Sequence, residues 1–342
     1  MIESRLAEFS AAVDRATEAL IPSLPDMQGL YGMLRYHLGW VDRSLAPNLV
    51  PAGKKLRPTL CLLVAEAVCG DWRRALPAAT AVELIHNFSL VHDDIQDRSP
   101  LRHFRETLWV WQGEAQAINA GDALLVIAEQ ALTDTEPRLP AEVALTALRT
   151  LNRACLGLCE GQYLDMRFEH ELSITLEEYM AMIGRKTARL FQCAAELGAY
   201  CAGADPALQA RAAALGEALG MAFQVADDLL GTWAPESESG KPPLDVQTRK
   251  KNLPAVLGLH APPSPASDRL RTLYSLDRDL SADETAEATR LLEELGVRDE
   301  AVARARAYQV EALQLVEAIG ASDLHGDVTG LRTFIKMALP TI

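Results

Sequence analysis

The chain has 342 residues, 49% of them apolar, and a formal net charge of −14. So acidic a balance argues against nucleic acid or an anionic membrane as the main partner, because both are gripped by basic surfaces. No run of about eighteen apolar residues is present, so no membrane insertion is expected.

The N-terminus, Met1-Ile2-Glu3-Ser4-Arg5, mixes acid and base and lacks the apolar core of a signal peptide, so a cytoplasmic protein is expected. Helical periodicity then dominates, and alternating β-branched runs are missing. The spacing predicts helices over 3–20, 27–45, 55–70, 74–98, 114–132, 140–163, 175–201, 206–230, 250–260, 266–274, 282–295, 298–318 and 328–338. Pro47, Pro51, Gly70, Pro137, Pro140, Gly203 and Pro262 separate many of them. No linker divides the chain, so residues 1–342 read as a single all-α domain, a helical bundle. The six cysteines form no metal-ligand spacing and lie in apolar helical patterns, as buried thiols do.

Two acidic clusters carry the chemistry. The first is Asp93-Asp94-Ile95-Gln96-Asp97, entered from the apolar Leu84, Ile85, Phe88 and Val91. Asp93 and Asp97 are four apart and share a helix face, where like charges repel. They make sense around a hard divalent cation. Mg²⁺ binds carboxylate oxygens, keeps several waters and completes its shell with substrate phosphates. The second cluster, Asp227-Asp228, follows Ala222-Phe223-Gln224-Val225 and supplies an opposing wall. The simplest expectation is a helical cleft holding a diphosphate through Mg²⁺. Basic groups follow or precede each cluster: Lys54 and Arg57 at the mouth of an apolar helix, Arg102 and Arg105 in one loop, Lys186 in a helix, Lys241 and Lys250 in a second loop.

In order along the chain stand Gly53-Lys54-Lys55-Leu56-Arg57-Pro58, Asp93-Asp94-x-x-Asp97 with Arg102, Gly121-Asp122, Gly161-Gln162-x-x-Asp165, Lys186-Thr187, Phe223-Gln224-x-x-Asp227-Asp228, and Gly240-Lys241 with Asp245 and Lys250. This series resembles the trans-isoprenyl diphosphate synthase, or polyprenyl synthetase, family from about Gly53 to Pro254, and within it the geranylgeranyl and farnesyl diphosphate synthases.

The resemblance implies a prenyltransferase that joins isopentenyl diphosphate to an allylic diphosphate, acting as a homodimer with three Mg²⁺ ions. Asp93, Asp97 and Asp227 would bind metal, supported by Asp94 and Asp228. Arg102, Lys186 and Lys241 would hold the allylic leaving group, with Lys250 nearby. Gly53, Lys54, Arg57 and His86 would hold isopentenyl diphosphate, and Thr187, Gln224 and Gln162 would line the reaction centre. His86 lies seven before Asp93 and so shares its helix face. Alone it would read as a core histidine.

Two positions depart from the pattern. Gly231 stands where many relatives have a third Asp, and His103 replaces an arginine expected on isopentenyl diphosphate. A neutral imidazole is the weaker phosphate ligand, and Arg105 is the candidate to compensate. By resemblance, an aromatic five before Asp93 (Phe88) with a small residue four before (Ser89) favours a twenty-carbon product. Phe88 as plain core packing is the competing reading. Farnesyl diphosphate is the nearest alternative product. A cyclase of the same fold and a non-catalytic partner subunit are the other classes. The Lys54, Arg57 and His86 set argues against the first, and the retained Asp93, Asp97, Asp227 and Lys241 against the second. Trp109 and Trp111 read equally as a cap on the cleft or as packing.

Overall fold

The computed structural model describes residues 2–48, 53–169, 171, 173–234, 244–322 and 324–339. Among them the only sheet is a two-stranded hairpin; everything else regular is helical. The chain forms two compact units, each drawn from separate segments.

The first unit comprises Met1–Cys155, Leu190–Ala213 and Val316–Phe334. It contains α1 (Ile2–Leu20), α2 (Gln28–His37), α3 (Leu56–Cys69), α4 (Leu76–Gln96), α5 (Leu108–Gln112) and α6 (Glu114–Asp134). It also takes in the first part of α7 (Ala141–Glu169) and nearly all of α9 (Arg189–Cys201). α3 is buried on almost every side from Pro58 to Val68, as a helix apolar all round must be. α4 is buried from Pro77 to Ile85 and then along Asn87, Phe88, Val91 and Asp94 only. It therefore starts in the core and brings its last turn out to the surface.

The second unit comprises Leu156–Arg189, Ala214–Leu315 and Ile335–Ile342. Its core joins Phe168 of α7, Tyr179, Met182 and Ile183 of α8 (Leu176–Ile183), and Met221, Val225 and Leu229 of α10 (Pro206–Trp233). Leu253 and Val256 of the helix Leu253–Leu259 complete that cluster with Ala301 and Ala305.

The expected helix over 27–45 stops at His37. Gly39 takes φ +82°, and Asp42 closes a turn by accepting from the backbone N–H of Ser44 at 2.8 Å and of Ala46 at 3.1 Å. α7 runs on to Glu169, so Asp165 is helical. The expected helix over 175–201 is continuous but contains a π-turn, Gly184–Ala188, between α8 and α9. The loop after the first acidic cluster is a hairpin, β1 (Leu101–Arg102) against β2 (Arg105–Glu106). Its two turn residues, His103 and Phe104, both take positive φ, the geometry that matches the twist of tight hairpins. Cys61, Cys155, Cys193 and Cys201 are buried as expected, but Cys69 is only partly buried and Cys159 is exposed.

Candidate active site

Each unit carries one acidic cluster, and the two Asp-Asp pairs have a common form. In the first unit Asp93 is 23% exposed and Asp94 only 3%. Arg102, on β1, bridges them: its Nε donates to Asp94 Oδ1 at 2.8 Å, and its Nη2 lies 3.5 Å from Asp93. Asp97 caps α4 and is exposed. In the second unit Asp227 is exposed and Asp228 is buried near the end of α10. The first carboxylate of each pair thus faces outward, and the second is held inside by protein donors.

In the first unit Asp93 and Asp97 offer hard carboxylate oxygens of the kind a cation such as Mg²⁺ takes, and in the second unit Asp227 offers one. Among the described residues no three His, Cys, Asp or Glu side chains gather into a ready metal cage.

A basic group lies near the first cluster in the same unit. Gly53 and Lys54 are exposed ahead of α3. Lys55 instead turns inward, pairing with Asp14 and donating to Ser10 Oγ at 3.1 Å. Arg57 lies over the Phe191 ring, 4.4 Å from its centroid, with Nη1 3.3 Å from His86 Nε2. Arginine has only donors, so that His86 nitrogen is the acceptor and the ring is neutral. Burial, then the Arg57 charge, holds His86 well below its ordinary range. Burial also pushes Arg57 down to about 10 against the opposing pull of Glu83. The His103 ring stands beside Gly53, its Nε2 3.9 Å from where a Cβ on that glycine would be.

Arg105 does not take the place His103 leaves. It donates to the backbone carbonyls of Tyr36 at 2.8 Å and Val41 at 2.7 Å and stacks on the Tyr36 ring, so it anchors the hairpin. Trp109 ties the hairpin base to the Ser99 carbonyl at 2.8 Å, and Trp111 packs against Tyr36 at 4.6 Å between centroids. Phe88 is 7% exposed and meets the His92 ring edge-on at 4.9 Å. Ser89 donates to the His86 carbonyl at 2.7 Å.

One residue of this group has no motif to announce it. His37, at the end of α2, has a buried Nε2 without a hydrogen-bond partner. Burial and the surrounding Arg102, His103 and Arg105 push it down to about 3. In the sequence it is one polar residue among apolar neighbours.

The second unit gathers Lys186, Thr187, Gln162, Gln224 and Lys250. Gly161 lets α7 approach the π-turn so closely that a Cβ there would sit 2.2 Å from the Lys186 backbone nitrogen. Lys186 pairs with Asp165. Burial works against that carboxylate, but Lys186 and Lys250 hold it below its ordinary range. Both amide atoms of Gln162 are buried without a partner. Gly231 backs onto Asp245: a Cβ at 231 would stand 2.3 Å from Asp245 Oδ2, so that carboxylate occupies the space a side chain would need. Burial pushes Asp228 up to about 7, against hydrogen bonds from Tyr179, the Leu253 N–H and Gln224. Three donated hydrogen bonds favour the carboxylate over the acid here, against the pull of burial. Lys241 lies outside the described residues.

The family model of polyprenyl synthetases matches residues 39–292. The chain belongs to the polyprenyl synthetase family. Its sequence is 38% identical over 319 residues to a (2E,6E)-farnesyl diphosphate synthase of Mycobacterium tuberculosis, covering 90% of this chain and 87% of that one. It is also 38% identical over 299 residues to a geranylgeranyl diphosphate synthase of the same organism, covering 86% and 82%. A polyprenyl synthetase structure from Streptomyces coelicolor superposes with a TM-score of 0.90 at 33% identity, over 99% of this chain and 100% of that one. This member of the family is a prenyltransferase of the short-chain type, with the all-α isoprenoid synthase fold. No described helix is long and apolar enough to cross a membrane.

Proposed function

We propose that this prenyltransferase is an Mg²⁺-dependent elongating enzyme. It adds isopentenyl diphosphate to allylic diphosphates and stops at geranylgeranyl diphosphate. The observation that carries the elongating part is the Arg57–His86 pair with Gly53 and His103 beside it in the first unit. A cyclase, which handles one diphosphate, has no use for such a second basic group.

In this function Asp93, Asp97 and Asp227 hold the metal, and Asp94 and Asp228 anchor their neighbours. Bound Mg²⁺ neutralises charge that builds on the departing diphosphate. Arg102, Lys186, Lys241 and Lys250 bind that leaving group, and Gly53, Lys54, Arg57, His86 and His103 bind isopentenyl diphosphate. Breaking the allylic C–O bond leaves a cation. The isopentenyl double bond attacks it, and the new cation loses a proton, for which the released diphosphate is an available base. Gln162, Thr187 and Gln224 line this step, where water must be kept from the cation. Phe88 and Ser89 set the tail length. The active form is a homodimer, for which exposed Val126 on α6 and Leu145 on α7 offer apolar surface.

The test is incubation with Mg²⁺ and isopentenyl diphosphate, supplying dimethylallyl, geranyl or farnesyl diphosphate in turn, with products identified by mass. A ladder ending at twenty carbons supports the proposal, and one ending at fifteen moves the product to farnesyl diphosphate. Consumption of allylic substrate without isopentenyl diphosphate, giving a hydrocarbon or alcohol, replaces elongation with cyclisation.

A further inference from the structure

A run of hydrogen bonds in the second unit leads from the reaction-centre residues to a tyrosine that no motif marks. Thr187 Oγ1 donates to Gln224 Oε1 at 2.7 Å. At the other end of that amide, Gln224 Nε2 donates to Asp228 Oδ1 at 2.9 Å. Asp228 Oδ2 accepts from the Tyr179 hydroxyl and from the Leu253 N–H, the latter at 2.9 Å. Tyr179, Thr187 and Asp228 are buried, so a missing bond here would not be replaced cheaply by water.

The polarity of this run is fixed from its far end. A carboxylate only accepts, so Gln224 must turn its NH₂ toward Asp228 and its carbonyl toward Thr187. Thr187 is then obliged to donate. Its one proton is committed to Gln224, and its oxygen offers only lone pairs to everything else it meets. An oxygen lone pair stabilises an electron-deficient carbon, and an O–H directed at the same carbon does the opposite.

The π-turn makes the connection possible. Tyr179 and Thr187 are eight apart, which in a regular α-helix sets them about 80° apart around the axis. Inserting one residue's worth of turn reduces this to about 20°. Both side chains therefore reach α10, where Gln224 and Asp228, four apart, share a face.

We propose that Tyr179 is a positioning residue: through Asp228 it locks the Gln224 amide, and so keeps the Thr187 oxygen electron-rich toward the allylic cation. This rests on the elongating function above and adds to it a group that the sequence motifs quoted above do not include.

The experiment compares the parent enzyme with Tyr179→Phe in elongation and in binding. Losing the hydroxyl should lower kcat about tenfold, the factor set by one hydrogen bond, with KM for both diphosphates changed less than about twofold. Calorimetry with an ammonium analogue of the allylic cation, in the presence of Mg²⁺ and inorganic diphosphate, should show a similar loss of affinity. Inorganic diphosphate with Mg²⁺ alone should bind as before. Adding Tyr179→Phe to Gln224→Leu should cost nothing further, because the path is already cut. Independent losses in that cycle, or an unchanged kcat, overturn the proposal. If Tyr179→Phe does not fold, Tyr179→Met, which also lacks the hydroxyl, goes through the same cycle with the same expected split. A parent enzyme that fails to elongate sinks the function itself. A parent that elongates, matched by Tyr179→Phe, sinks only the role of Tyr179.

Discussion

Gly161→Ala tests whether the approach of α7 to the π-turn sets the position of Lys186 and Thr187. The added Cβ would lie 2.2 Å from the Lys186 backbone nitrogen, 2.6 Å from its Cα and 2.8 Å from its Cβ. Ordinary contact begins near 3.4 Å, so one helix must retreat by about 1.2 Å. The nearest atoms are backbone, and no flexible side-chain tip can swing aside. Overpacking of this kind costs about 1–3 kcal/mol. The larger effect falls on chemistry, since a misplacement of about 1 Å at a reacting centre costs on the order of a hundredfold. Steady-state elongation should show kcat falling by about that factor, and urea unfolding should show the smaller stability loss. Turnover within about threefold of the parent, in a protein of unchanged stability, would refute the reasoning.

Stability should fall with acid through His37 and His86. Both are neutral when folded, pushed down by burial and neighbouring arginines, His37 to about 3. The unfolded chain protonates each below about 6.5 and so binds more protons there, which lowers stability as pH drops through that value. The slope is at most about 1.4 kcal/mol per pH unit for each histidine, and His37→Gln should flatten a denaturant series between about pH 7 and 5. Arg57→Lys loses the planar stack on Phe191 and the fixed approach to His86, and should raise KM for isopentenyl diphosphate about tenfold with little change for the allylic substrate; equal shifts in both would count against the assignment. Gly231→Asp should lower rather than raise activity. Asp245 would have to leave the space beside position 231 and with it the Asn252 amide, now 3.3 Å away; a gain in Mg²⁺ affinity or rate would contradict this. Phe88→Ala should lengthen the product, seen by mass, at about 3–5 kcal/mol of stability; an unchanged product distribution leaves Phe88 as packing.

The fold class was legible because its cause is local: an apolar stripe at helical spacing has few other solutions. The order of the motifs carried the family, and the structure joins several of them within each unit, Arg57 to His86 and Thr187 to Gln224. The unequal fates of Asp93 and Asp94 were readable in principle. Asn87, Val91 and Asp94 continue the buried stripe of α4 at spacings of four and three, and Val225 to Asp228 does the same on α10. The hairpin was hidden because its strands have two residues each, too few for a period of two to show. Arg105 read as a phosphate ligand because the sequence does not show the carbonyls of Tyr36 and Val41 that claim it. The π-turn left no mark, since one extra residue does not interrupt the apolar helical pattern, and the close approach of α7 to Lys186 at Gly161 joins positions far apart in sequence.

That turn also limits what kind of change the chain can tolerate. Helical surface positions such as Arg185 ordinarily accept substitution, while Lys186 and Thr187 in the same segment are held to their identity by the roles proposed above. Its length is another matter. Inserting one more residue there, with the single π-turn kept, would add a further 100° of winding and take Tyr179 and Thr187 from about 20° to about 80° apart. A variant can therefore keep every residue named in the site, fold, and still lose the register between them. In this stretch the number of residues is under constraint as tight as their identity.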